Sequence, residues 1–105
     1  MDATGALSGS GPAYVAAMIE ALVSAGVKEG LSAELSERLA IQTVWGTADL
    51  ICKTGQTPEQ VRVSVCSPGG STLAALAAMD EAGFSQAFEA GVRAAVQRSK
   101  ELGAS

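Results

Sequence analysis

Histidine is absent from the 105 residues, which removes several familiar routes to polar chemistry. The usual zinc ligand sets lose their imidazoles, and a cysteine or serine nucleophile loses its commonest base. Aromatic residues are scarce, with one Trp, one Tyr and two Phe. Seven Lys or Arg face eleven Asp or Glu, a net charge of −4. The basic residues are scattered from Lys28 to Lys100, not gathered into the patch that a nucleic-acid backbone requires. No apolar run reads as long enough to span a membrane, and no basic-then-apolar leader opens the chain. The expectation is a cytoplasmic protein with neither nucleic acid nor membrane as partner. Cys52 and Cys66 are the only cysteines, and without a secretory signal they are expected as free thiols. Cys52 sits in an apolar stretch and is expected in the core, whereas Cys66 adjoins a glycine loop.

Apolar residues make up 48% of the chain and charged residues 17%. The length fits one domain, residues 1–105, with a single core. So much apolar material in so small a domain implies burial against a partner. The punctuation is helical throughout, with almost no alternating strand pattern, so the expected class is all-α. Ser8-Gly9-Ser10-Gly11-Pro12 leads into a helix over 13–25, with Ser8 or Ser10 as caps and Pro12 in the first turn. Ser32 caps a helix over 33–53, whose stretch from Ala40 to Cys52 is apolar on nearly all sides and carries Asp49 as its only charge. Thr57 and Gln60 have capping-box spacing around Pro58, opening a short helix with Val61 and Val65 facing inward. A helix over 71–81 follows, then a last one capped by Ser85 and ending near Leu102, with Phe88, Val92, Ala95 and Val96 on one side.

Between the last two of those caps lies Ser67-Pro68-Gly69-Gly70-Ser71-Thr72. Glycines let backbone N–H groups approach a ligand, and a helix starting at Ser71 or Thr72 turns its unpaired amides and positive dipole end toward the loop. The hydroxyls can cap the helix or donate to a ligand. Two readings stand: a capped glycine turn, or a pocket for a small anion such as a carboxylate. A dinucleotide fold is excluded on its own terms, because Gly9-Ser10-Gly11 has no preceding strand and no third glycine.

The strings Leu7-Ser8-Gly9-Ser10-Gly11-Pro12-Ala13-Tyr14 and Ser67-Pro68-Gly69-Gly70-x-Thr72 together carry a resemblance. So do Ile19-Glu20-Ala21-Leu22, Ala25-Gly26-Val27, Gly30-Leu31, Gln42-Thr43, Gly46, Gly83-Phe84 and Arg98-Ser99-Lys100-Glu101-Leu102. The chain resembles the C-terminal domain of pyrroline-5-carboxylate reductase over nearly its whole length. The resemblance implies a helical domain of the 6-phosphogluconate-dehydrogenase C-terminal type, which forms a homodimer by interleaving helices and can assemble further. It implies a parent enzyme whose N-terminal Rossmann domain binds NAD(P)H and is absent here, so that no cofactor is expected on this chain. It implies hydride transfer to the C=N carbon of 1-pyrroline-5-carboxylate, giving L-proline. Ser67, Gly69, Gly70, Ser71 and Thr72 are then the substrate-binding residues. Thr72 takes the catalytic place, its hydroxyl on the ring nitrogen. No nucleophile, metal or histidine is needed for such a reduction.

Departures from the family pattern are Cys66 where a hydroxyl residue is usual, Val63 in place of a polar residue, and Ala16 in place of a larger side chain. Met1 stands at the expected domain boundary, so the chain reads as a fragment, expected to be inactive alone. Tyr14 and Trp45 are expected in packing, and Glu20 as hydrogen-bonded or solvated. Two other classes remain open: a stand-alone oligomerisation module, and a sensor for a small anion.

Overall fold

A computed structural model describes residues 2–104. Among them are six α-helices and no strand: α1 (Ala3–Ser8), α2 (Gly11–Lys28), α3 (Ala33–Thr54), α4 (Pro58–Val65), α5 (Ser71–Glu81) and α6 (Phe84–Ala104). The all-α expectation holds. The backbone groups into two compact units, residues 13–64 and the remainder.

In the unit of residues 13–64, the ends of each helix follow from local chemistry. The Leu31 N–H donates to the Gly26 carbonyl and the Gly30 N–H to that of Val27, both at 3.0 Å. Gly30 has φ +103°, so α2 closes in a Schellman motif with glycine at its left-handed position. Ser32 then caps α3, its Oγ accepting from the Leu35 N–H at 3.1 Å. Gly55, at φ 73°, ends α3 by donating to the Ile51 carbonyl. Thr57 and Gln60 form the expected reciprocal box: Gln60 Oε1 accepts from the Thr57 N–H at 2.9 Å, and Thr57 Oγ1 accepts from the Gln60 N–H at 3.1 Å. α2 and α3 come close where Gly26 faces Ser36. A Cβ built on Gly26 lies 2.5 Å from Ser36 Oγ, and that hydroxyl is buried without a hydrogen-bond partner among the described residues.

In the other unit, α1 and α5 each pack on α6. Asp2 caps α1, Oδ1 accepting from the Gly5 N–H at 3.0 Å, and Ala6 is fully buried. The sequence reading placed no helix here, because Gly5, Ser8 and Gly9 disguise a six-residue helix whose only strong signal is the Asp2 cap. Gly83 (φ +92°) turns the chain from α5 to α6. The last helix begins at Phe84, one residue before the expected cap Ser85, because the Gly83 carbonyl already accepts from the Ala87 N–H at 3.0 Å. Phe84 and Phe88 meet edge-on one turn apart, centroids 5.2 Å apart.

Very little is buried. Among the described residues the buried apolar side chains are Ala6, Ala40 and Val61, and no large side chain is fully enclosed. Val61 faces inward as expected, but Val65 is exposed. Cys52 and Trp45, expected in packing, are also exposed within this chain, Trp45 at 65%. The physical reason is supply: the apolar half of α3 has more surface than one short chain can cover. A compact protein of 10.5 kDa exposes about 5,400 Å², and two separate bodies of half that mass about 6,500 Å². This chain exposes 7747 Å², an excess of at least about 1,200 Å² by the more generous reference.

One further expectation needs correction. The continuous stretch Ala3–Lys28 is long and apolar enough, by length and composition, to cross a membrane. The Gly9-Ser10 break and the lone Glu20 had masked that run. α1 and α2 are separate helices with a break at Gly9 and Ser10.

Candidate functional site: the start of α5

The loop Ser67–Thr72 contains no titratable side chain, so amides and hydroxyls are what it can offer a ligand. Its shape follows from its residues. Pro68 presets one corner of a turn, and Gly69 takes φ +69° at the next, a left-handed value that glycine adopts freely. The Gly70 N–H closes the turn on the Ser67 carbonyl at 2.9 Å. Gly70 itself has φ −82° and ψ 174°, extended backbone open to any residue. It is the N-cap of α5, and the Ala74 N–H donates to its carbonyl at 3.3 Å.

The helix begins at Ser71, as the sequence reading expected. What the cap lacks matters most. Among the described residues no side chain accepts from the first amides of α5, whereas Asp2, Ser32 and Thr57 each fill that role on α1, α3 and α4. Relative to glycine, a serine, threonine or aspartate at the cap would contribute only about a few tenths of a kcal/mol to the helix. With glycine there, the amides of Ser71, Thr72 and Leu73 have no partner among the described residues, at the positive end of an 11-residue helix. Such an end receives a small anion without a charged side chain.

The hydroxyls are placed around this start. Thr72 is half-buried in the first turn, and Ser67 and Ser71 are exposed. Cys66, half-buried, precedes the loop as a free thiol. The structure therefore brings Ser67, Gly69, Gly70, Ser71 and Thr72 together on one turn and one helix start. The sequence signal did not separate the two glycines: Gly69 is needed for its backbone angle, Gly70 only for its missing side chain. Ser8 is engaged within its own helix. Ser8 Oγ donates back to the Thr4 carbonyl at 2.9 Å inside α1 and does not cap α2. Tyr14 Oη is buried with no partner among the described residues.

An all-α domain with unburied apolar faces and a helix start that lacks a side-chain cap is the class that fold and site define. The chain belongs to the pyrroline-5-carboxylate reductase dimerisation family, whose profile matches residues 1–102. It is 52% identical over 103 residues to a pyrroline-5-carboxylate reductase of Synechocystis sp., covering 98% of this chain and 39% of that protein. It is 46% identical to the Glycine max reductase, covering 96% of this chain and 37% of that one. Among solved structures, the Plasmodium falciparum pyrroline carboxylate reductase with NADP bound superposes with a TM-score of 0.92 at 42% identity. That match covers 98% of this chain and 42% of the other. The chain thus spans about two fifths of the length of the curated relatives it matches.

Proposed function

We propose that this chain is the dimerisation and substrate-binding part of a pyrroline-5-carboxylate reductase, which reduces 1-pyrroline-5-carboxylate to L-proline at the expense of NAD(P)H. The observation that carries the reading is the uncapped start of α5 in a chain of this family. There, the helix-start amides have no side-chain cap among the described residues, and Ser67 and Thr72 lie on the same turn and first helical turn, a segment without a charged side chain.

Each group has a task that its chemistry suits. The substrate carboxylate sits at the helix start, accepting from the α5 amides and the Ser67 hydroxyl. That anchor fixes the ring, so that the Thr72 hydroxyl reaches the ring nitrogen. A hydrogen bond there holds the C=N bond in one orientation and favours the developing amine as hydride arrives. The described residues do not fit a dinucleotide. Gly9, Ser10 and Gly11 lie where α1 passes into α2, with no strand before them, so the reductant is held by residues other than these.

The second partner is another copy of the chain. The excess of exposed area is at least about 1,200 Å² per copy, hence about 2,400 Å² for a pair, above the standard size of a specific interface. Exposed Trp45, Leu39 and Leu50 on α3 are suited to that surface.

A segment exchange tests the reading. Replacing the matching segment of the Synechocystis reductase with this chain is expected to give an enzyme that oxidises NADPH with 1-pyrroline-5-carboxylate. Thr72→Ala in that chimera is expected to lower kcat/KM about 100-fold, the scale for losing one positioned donor. A folded, dimeric chimera without turnover, or one indifferent to Thr72→Ala, contradicts the proposal.

A further inference from the structure

Gly70 stands at a backbone conformation that any residue adopts, φ −82° and ψ 174°, so its lack of a side chain has to be explained by space. The space is occupied by one group. A Cβ built on Gly70 lies 2.6 Å from Ser67 Oγ, a separation that real Cβ atoms do not show, and 3.1 Å from the Ser67 carbonyl oxygen. Among the described residues no hydrogen bond engages that hydroxyl, and Ser67 is exposed. Gly69 differs in both respects: its φ of +69° demands glycine, and a Cβ there meets nothing within 4 Å.

We propose that Gly70 is a positioning residue for Ser67. By carrying no side chain it seats the Ser67 hydroxyl against the cap of α5, where that hydroxyl donates to the bound carboxylate. The inference rests on the carboxylate reading of the loop and deepens it. It gives the second glycine of the pair a role in space, since its backbone angles allow any residue. The turn hydrogen bond from the Gly70 N–H to the Ser67 carbonyl (2.9 Å) ties the two residues together, so the hydroxyl cannot evade a new methyl group by moving the chain. It must rotate away, and the donor leaves the site.

The test uses the full chain in four forms: parent, Gly70→Ala, Ser67→Ala and the double variant. Two readouts are taken, the Ser67 side-chain rotamer without ligand and the affinity for L-proline from amide shifts at Gly69, Ser71 and Thr72. Gly70→Ala is expected to switch the Ser67 rotamer and to weaken L-proline roughly 10- to 100-fold, the range for a hydrogen bond to a charged group. Ser67→Ala is expected to weaken it equally, and the double variant no further, because both changes remove the same donor. A Ser67 rotamer unchanged in Gly70→Ala, or losses that multiply in the double variant, overturns the positioning role while leaving a proline-binding parent intact. A parent that shows no shift with L-proline overturns the carboxylate reading itself and this inference with it. Should Gly70→Ala alone fail to fold, recovery of folding in the double variant supports the seat, and continued failure overturns it.

Discussion

Gly26→Ala is the sharpest structural perturbation this chain offers. Gly26 lies in the last turn of α2, and at a helical position replacing glycine with alanine ordinarily stabilises by about 0.5–1 kcal/mol, because the unfolded chain loses freedom. Here the new methyl would stand 2.5 Å from Ser36 Oγ and 3.1 Å from Ser36 Cβ, with Leu31 Cδ1 at 3.7 Å. Ser36 is 4% exposed, so its side chain has little room to rotate away, and forcing α2 and α3 apart costs about 1–3 kcal/mol. The net expectation is a loss of about 1–2 kcal/mol. Ser36 Oγ has no hydrogen-bond partner among the described residues, so Ser36→Ala gives up no bond there and removes an unsatisfied buried hydroxyl. It is expected to be neutral or mildly stabilising, and to rescue Gly26→Ala when combined with it. Urea unfolding of all four proteins, at one fixed protomer concentration, yields the coupling. Gly26→Ala as stable as the parent, or a double variant no better than Gly26→Ala alone, refutes the close-contact argument.

Other expectations follow from the same geometry. Trp45 is 65% exposed, which for a side chain of about 250 Å² leaves about 160 Å² to be covered by a partner. At roughly 25 cal/mol per Å², and allowing for what alanine still buries, Trp45→Ala removes about 3 kcal/mol per copy. Counted twice in a symmetric dimer, the dissociation constant rises on the order of 10⁴-fold, and a rise below about tenfold by sedimentation would exclude Trp45 from the interface. The Gly5 N–H bonded to the Asp2 carboxylate holds its pKa below the ordinary value. A depressed carboxylate stabilises above its unfolded pKa and loses that support as pH falls through the folded one. Exchange protection at Gly5 and Ala6 is therefore expected to fall on acidification below that range and to be pH-insensitive in Asp2→Asn. Gly55→Ala places a side chain at φ 73°, so a destabilisation of about 1 kcal/mol is expected in thermal unfolding.

Much of this architecture was legible because it is governed by short-range chemistry. Ser32, the Thr57–Gln60 pair, Gly55 and the start at Ser71 are all decided within four or five residues, and the sequence carries that range directly. α1 was not legible, since six residues that include Thr4, Gly5 and Ser8 look like a linker until the Asp2 cap is seen to close on Gly5. The contact of Gly26 with Ser36 was equally hidden, because nine intervening residues and two helix ends fix it. Val65 and Cys52 are exposed for a different reason: apolar character indicates burial somewhere, but not within which chain. At the loop, the residue types pointed to an anion site, yet only the angles and clearances divided the work between Gly69 and Gly70.

Sedimentation equilibrium of the chain at micromolar concentration tests the account most directly, since both the family and the uncovered α3 surface bear on it. A mass of twice 10.5 kDa, or a higher even multiple, is the expected result. A single species at 10.5 kDa that persists to high concentration would contradict it.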